Sequence, residues 1–279
     1  MSKFLTQAAV TEFDNEVKHA YQSMGKLRNT VTVRTGVTGE AYKFTRMGKG
    51  LANQKASQAD VTPMDIDHAR QTCNLENWNA PEYTDIFDQA EVNFDEKQEL
   101  AKTIAKALSR REDQIILDAM GAITFQTSPT SIDEGLDLAT AAAGLTVTEL
   151  RAASTGLTDR GVDSDERHIA LTAGALNSLL GETEITSSDY NSVKALVQGD
   201  VDTFMGFKFH VIETRAEGGL PSLTNYAWQK SAIGYAVGID MKTTIDWVAH
   251  KTSWLANGCY KAGAVAREAA GVVRMQTTS

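Results

Sequence analysis

Residues 93–120, NFDEKQELAKTIAKALSRREDQIILDAM, limit the possible folds of this chain more than any other stretch. Leu100, Ile104, Ala107, Leu108, Ile115 and Ala119 recur at three- and four-residue spacing, which places them on one stripe of a helix. Glu, Lys, Ala, Leu, Arg and Gln dominate the stretch, and all of them form helices well. Asn93 and Glu96 have the spacing of a capping box, and Gly121 supplies a stop. At ~1.5 Å per residue the helix runs about 40 Å. That is long for an ordinary domain and suits a strut on which other elements lean. A single long core helix would read the same way.

A chain of 279 residues can bury a large core in one or two domains. No apolar run is long enough to cross a bilayer. Glu12, Asp14 and Glu16 make the first residues unlike a secretory signal. The two cysteines, Cys73 and Cys259, are far apart and in no CxxC pattern, which argues against a disulfide framework or a zinc site. The net charge of -9 is unevenly spread. Residues 1–59 hold nine Lys/Arg against four Asp/Glu, a net of +5, and leave -14 for the rest. A basic front on an acidic body fits an arm that binds nucleic acid, or one copy's arm lying on another copy's body. Solvated charge with no partner is the plainer reading.

In chain order, residues 1–29 have patchy helical character and read as an arm. TVTVRT (30–35) alternates β-branched residues, turns through Gly36 and Gly39, and pairs in expectation with AYKFTR (41–46) as a β-hairpin. Residues 47–60 are polar and nearly free of large apolar side chains, which predicts a mobile loop. Extended segments follow over 61–75, and Pro63 and Pro81 oppose helix around them. Residues 30–92 therefore have little to bury against themselves and must lie on something else. Trp78, Tyr83, Ile86 and Phe87 anchor the approach to the long helix.

After Gly121 comes a small-residue run, LATAAAGL (138–145). Thr146 and Glu149 then open a helix through about Ser154 with a capping box. HIALT (168–172) predicts a short buried strand, 173–180 a helix ended by Gly181, 189–197 another short helix, and FKFHVIE (207–213) a strand. Residues 215–219 read as a glycine-rich loop. From Asn225 onward the pattern is mostly strand-like: AIGYAVG (232–238), TTIDWVAHKTSW (243–254) and GVVRM (271–275). The class is α+β, with helices and strands unevenly segregated.

Motifs of catalysis are sparse. Gly48-Lys49-Gly50 lacks the upstream glycine and following Ser/Thr of a phosphate loop, and neither GxGxxG nor GxSxG occurs. His19, His68, His168, His210 and His250 have no ligand spacing. Asp85, Asp88 and Glu91, three residues apart, would share a helical face that suits a cation, solvent or a subunit contact. These features give no positive case for an enzyme and none for a cofactor.

The order of segments carries a further reading. PEYTDIFDQAEVNFDEKQELAKTIAKALSRREDQIILDAM (81–120), GDVDTFMGFKFHVIE (199–213) and GCYKAGAVAREAAGVVRM (258–275) follow a basic arm and an extended loop. In that order the chain resembles, over essentially its full length, the major capsid proteins of tailed bacteriophages, the Hong Kong 97-type fold. The resemblance implies an N-terminal arm at 1–29 and an extended loop at 30–92 reaching onto a neighbour. It also implies a peripheral domain with its spine helix at 93–145, an axial domain at 146–224, and late strands at 225–279 completing both. Pentamers and hexamers would close into an icosahedral head around double-stranded DNA held without sequence specificity. Implied partners are further copies of the chain and a portal protein, with no membrane; whether a decoration protein attaches is left open. The chain opens without a long extra N-terminal region, so a scaffolding protein is expected to be separate. The virion capsid is the expected location, with the host cytoplasm during assembly. Lys49 and Lys55 lie in the kind of loop that crosslinks in some relatives, but nothing here transfers that chemistry, and no crosslink is expected.

The charge split suggests a contact. Between residues 26 and 55 seven Lys/Arg face only Glu40, whereas 82–99 is acidic. Arg34, Lys43, Arg46, Lys49 and Lys55 of one subunit are expected against Glu82, Asp85, Asp88, Glu91, Glu96 and Glu99 of the next. Three other classes remain open: a nanocompartment shell of the same fold enclosing a cargo enzyme, a soluble α+β enzyme, and a nucleic-acid-binding protein using its basic front.

Overall fold

A computed structural model describes residues 24–86, 96–181, 203–214, 219–221 and 223–278. Capping by Asn93, the helix expected at 189–197 and most of the glycine-rich loop expected at 215–219 lie outside the described residues. The chain begins with β1 (Thr32–Arg34), β2 (Ala41–Met47), β3 (His68–Asn74) and β4 (Glu76–Asp85), then the long helix α1 (Glu96–Gly121). Next come β5 (Phe125–Gln126), β6 (Gly135–Ala143), α2 (Val147–Asp159), β7 (Arg167–Leu171) and α3 (Ala173–Gly181). β8 (Thr203–Phe204), β9 (Phe207–Val211), β10 (Thr224–Gln229), β11 (Ile233–Val248), β12 (Ser253–Ala266) and β13 (Val272–Thr278) complete it.

The expected helix is present as α1. Ile104 and Leu108 rest on β12 at Gly258, where any Cβ would run into both side chains. That glycine lets the helix lie flat on the sheet. α1 then continues past the sheet, so that Ile116, Leu117 and Met120 join Tyr226, Trp228 and Ile212 in the same core. One helix thus binds two sheets together.

The first sheet has the order β1-β11-β12-β4 and the second the order β5-β6-β13-β10-β7-β9-β8. Residues 224–278 supply β11 and β12 to the middle of the first sheet, and β10 and β13 to the middle of the second. The second sheet carries the α1 core on one face. On the other face, Leu150, Ala153 and Leu157 of α2 and Leu179 of α3 pack with Ile169, Leu171 and Phe207. β7 is buried along its whole length because both faces are covered. The capping box of α2 forms as expected, with Glu149 N–H donating to Thr146 Oγ1 at 3.3 Å and Thr146 N–H to the Glu149 carboxylate at 3.0 Å. The helix runs on to Asp159, five residues beyond the expected end at Ser154.

Two expectations are corrected. The strands at 30–35 and 41–46 do not pair with each other. β1 runs parallel to β11, with Val33 opposite Tyr235, and β2 pairs antiparallel with β3, with Phe44 opposite Gln71. Gly36 and Gly39 have φ of 71° and 108°, and they turn the chain out of one sheet into a separate ribbon instead of closing a hairpin. Strand alternation specifies which side chains point inward but not which strand is the partner. Similarly, 243–254 is not one strand. β11 spans Ile233–Val248 through irregularities near Ile239, and β12 starts only at Ser253 after a turn. The small-residue run is also a strand, β6, whose side of small side chains gave no period to read.

The described part of 30–92, residues 30–86, lies in part on the rest of the chain: β1 and β4 form the two edges of the first sheet, while among the described residues the β2–β3 ribbon and its connection leave it. Phe44, Cys73 and Leu75 pack against Ala236 at the base of that ribbon.

Candidate assembly surface

The segment before β1 is held by the long helix. Asp113 is 4% exposed, and its carboxylate accepts the N–H groups of Lys26 at 2.8 Å and Leu27 at 2.9 Å. One helical turn earlier, Ser109 Oγ accepts Gly25 N–H at 2.9 Å. Desolvation pushes the Asp113 carboxyl up to about 6, although the two backbone donors oppose that rise. Arg28 forks onto both Asp240 oxygens at 2.9 and 3.1 Å and lies 3.3 Å from Glu112. Further on, Trp228 Nε1 donates to the Thr30 carbonyl at 3.0 Å. Trp228 packs beside His168, whose Nδ1 is 3.1 Å from His210 Nε2. Burial, then the neighbouring His210, holds the His168 imidazole down to about 4.

The ribbon contrasts with this. Beyond Met47 the connection 48–66 has no regular structure, and its side chains are nearly all exposed. Met47, Leu51, Val61 and Met64 are 66%, 80%, 76% and 49% exposed. One backbone bond, Gly48 N–H to the Asp67 carbonyl at 2.7 Å, closes the ribbon's outer end.

The residues expected at a subunit contact are placed as follows. Arg34, Lys43 and Lys55 are exposed on β1, β2 and the connection. Arg46 instead pairs with Asp133 of its own chain at 2.6 Å, and Lys49 Nζ donates to the Arg160 carbonyl at 2.6 Å. Glu82 is exposed on edge strand β4, and half-buried Asp85 ends that strand, so Asp85 does not begin a helical acidic face. Glu99 pairs with Lys102 at 2.8 Å within α1. Asp88, Glu91 and the side chain of Glu96 lie outside the described residues.

Asp113 and Glu112 were not singled out in the sequence, though Glu112 carries a signal. It sits four residues from both Leu108 and Ile116, placing a charge on the apolar stripe. Asp133 carries no comparable signal. Among the described residues no group of three or more His, Cys, Asp and Glu is arranged to hold a metal.

The profile of the family described as phage capsid protein matches residues 5–279. No curated protein sequence matches the chain. Solved structures do. The capsid of the cyanophage P-SCSP1u superposes with a TM-score of 0.77 at 16% identity, covering 100% of this chain and 96% of that one. The head of Helicobacter pylori bacteriophage KHP40 gives 0.76 at 10% identity, covering 96% and 95%. The capsid of the native GTA particle gives 0.73 at 16% identity, covering 98% and 96%. These likenesses extend over 96% or more of this chain. Matched along nearly its whole length by the family profile, the chain belongs to the phage capsid protein family, as a major capsid protein of tailed-bacteriophage type with the Hong Kong 97-type α+β fold.

Proposed function

We propose that this chain assembles into pentamers and hexamers that close into an icosahedral head around double-stranded DNA, and that it carries out no catalysis. The observation that carries this reading is the ribbon connection. Leu51 and Val61 are 80% and 76% exposed on a segment with no core of its own. Such side chains gain burial only from another molecule. Many weak contacts of this kind, repeated by ring symmetry, suffice to hold a closed shell.

In this reading residues 1–29 are the arm, 30–92 carry the loop that reaches a neighbour, 93–145 the peripheral domain, 146–224 the axial domain, and 225–279 the strands shared between them. Lys43 and Lys55, exposed on the ribbon, meet the acidic 82–99 region of the next subunit. Arg46 and Lys49 are occupied within their own chain and contribute less. The inner wall touches DNA through bulk charge alone, and the acidic body keeps adhesion weak. A separate scaffolding protein and a portal protein act as partners, assembly takes place in the host cytoplasm, and no covalent crosslink forms.

The test is negative-stain imaging of a Lys43→Glu, Lys55→Glu double variant, co-expressed with neighbouring gene products. Both side chains are exposed, so the monomer should fold. Free capsomers or monomers in place of shells are expected. Shells at wild-type yield would refute the charge contact, and enclosed protein instead of DNA would favour a nanocompartment.

A further inference from the structure

We propose that the contacts at the ribbon's base form a releasable latch, which stows residues 47–67 on the chain's own body until a neighbouring copy takes them over. The inference rests on the assembly reading above. Arg46, besides its pairing with Asp133, donates to the Arg267 carbonyl at 3.4 Å, and Arg267 donates back to the Thr45 carbonyl at 3.4 Å. Lys49 reaches the Arg160 carbonyl, at the end of α2. Arg160 in turn donates to the carbonyls of Ser131 and Glu134. Those residues belong to the same turn as Asp133. The ribbon is therefore tied, through one turn and one helix end, to the second sheet and to α2.

The chemistry of these ties matters more than their number. The ribbon is fixed by apolar burial only as far out as Phe44 and Cys73, at 7% and 1% exposure. Farther out, the tethers are cations on a carboxylate or on carbonyls: Arg46 is only 13% exposed but its partner Asp133 is 57% exposed, and the Lys49 and Arg267 bonds lie at the surface. Such contacts set a direction yet exchange readily for others. A hydrophobic dock at the same place would hold the segment too firmly to hand it over. The turn at 131–134 gives the latch a second consequence. Because Arg46 and Arg160 grip the same turn, release of the ribbon frees one side of the link to α2.

The experiment uses the full chain in three forms: wild type, a Lys49→Met, Asp133→Asn double variant, and Lys55→Met. Lys55 is exposed in the same connection and holds no tether on its own chain, so its loss controls for charge in the exchange measurement alone, its assembly being governed by the charge contact above. Amide hydrogen exchange is followed over 45–50 and 66–70 and over α1, alongside light scattering during assembly. The double variant should exchange about tenfold faster in the ribbon amides with α1 unchanged. It should also assemble faster or at lower concentration, while Lys55→Met exchanges like wild type. Unchanged ribbon exchange would overturn the latch. Faster exchange with slower assembly would also overturn it, because the tethers would then present the loop to a neighbour and not withhold it. Failure of the wild type to assemble at all would fall on the assembly reading, while the exchange comparison still decides whether the tethers hold the ribbon.

Discussion

Residues 24–34 and 41–74 are both early, extended and poor in large apolar side chains, yet the chain treats them in opposite ways. The first is fixed by its own backbone. Its N–H groups end on the buried Asp113 carboxylate, its carbonyl at Thr30 takes the buried indole of Trp228, and its strand enters the first sheet. The second is fixed by side chains, and beyond Phe44 most of those side chains, with the exception of Arg46, sit at the surface. Backbone donors buried without a partner are expensive, so a segment anchored through them cannot leave cheaply. A segment held by one ion pair with an exposed carboxylate and by hydrogen bonds to carbonyls loses less by leaving. Cohesion in this protein follows the burial of polar groups more closely than the count of apolar residues.

The widest gap between the two regions should come from Asp113→Ala. That change leaves the Lys26 and Leu27 N–H groups without an acceptor in a buried site, at a cost of about 4 kcal/mol. Denaturant unfolding measures it, and a loss under about 1 kcal/mol would remove the distinction between the two anchors.

Acid probes the far end of the same anchor. His168 lies against Trp228, and its folded-state pKa is held down to about 4. A depressed histidine pKa means that the folded protein binds fewer protons than the unfolded chain between about pH 6.5 and 4, so stability falls as the pH drops through that window. Asp113, raised to about 6, acts the other way and gains stability as the pH falls from there toward the ordinary carboxylate range. The histidine loss is on the order of 2 kcal/mol after allowing for solvent access. Melts of wild type and His168→Gln from pH 7 to 4 should diverge, with the variant losing less. Parallel curves would show that the imidazole pair does not titrate against folding.

The smallest effect is expected on the ribbon. Asp133→Ala should cost under about 1 kcal/mol in global stability, since the carboxylate removed is 57% exposed and the Arg46 side chain left behind, 13% exposed, keeps the Arg267 carbonyl. A cost matching that of Asp113→Ala would mean that the ribbon's tethers are structural, and the contrast would close.

The sequence alone determined the elements with a strong local signal. The long helix followed from its stripe and helix-forming composition, α2 from Thr146 and Glu149, β7 from a short apolar run, and the α+β class from their order. The resemblance to capsid proteins also came from segment order, because no short motif in this chain is diagnostic. Tertiary structure decided pairing. Nothing in TVTVRT names β11, some two hundred residues away, as its neighbour, because alternation encodes a face and not a partner. It also decided which charges serve the chain itself. Arg46 and Lys43 look alike in sequence, but only Arg46 has Asp133 within reach, brought there by the turn between β5 and β6. The expected contact residues were chosen by net charge, a sum over a segment, whereas an ion pair depends on where two atoms come to rest.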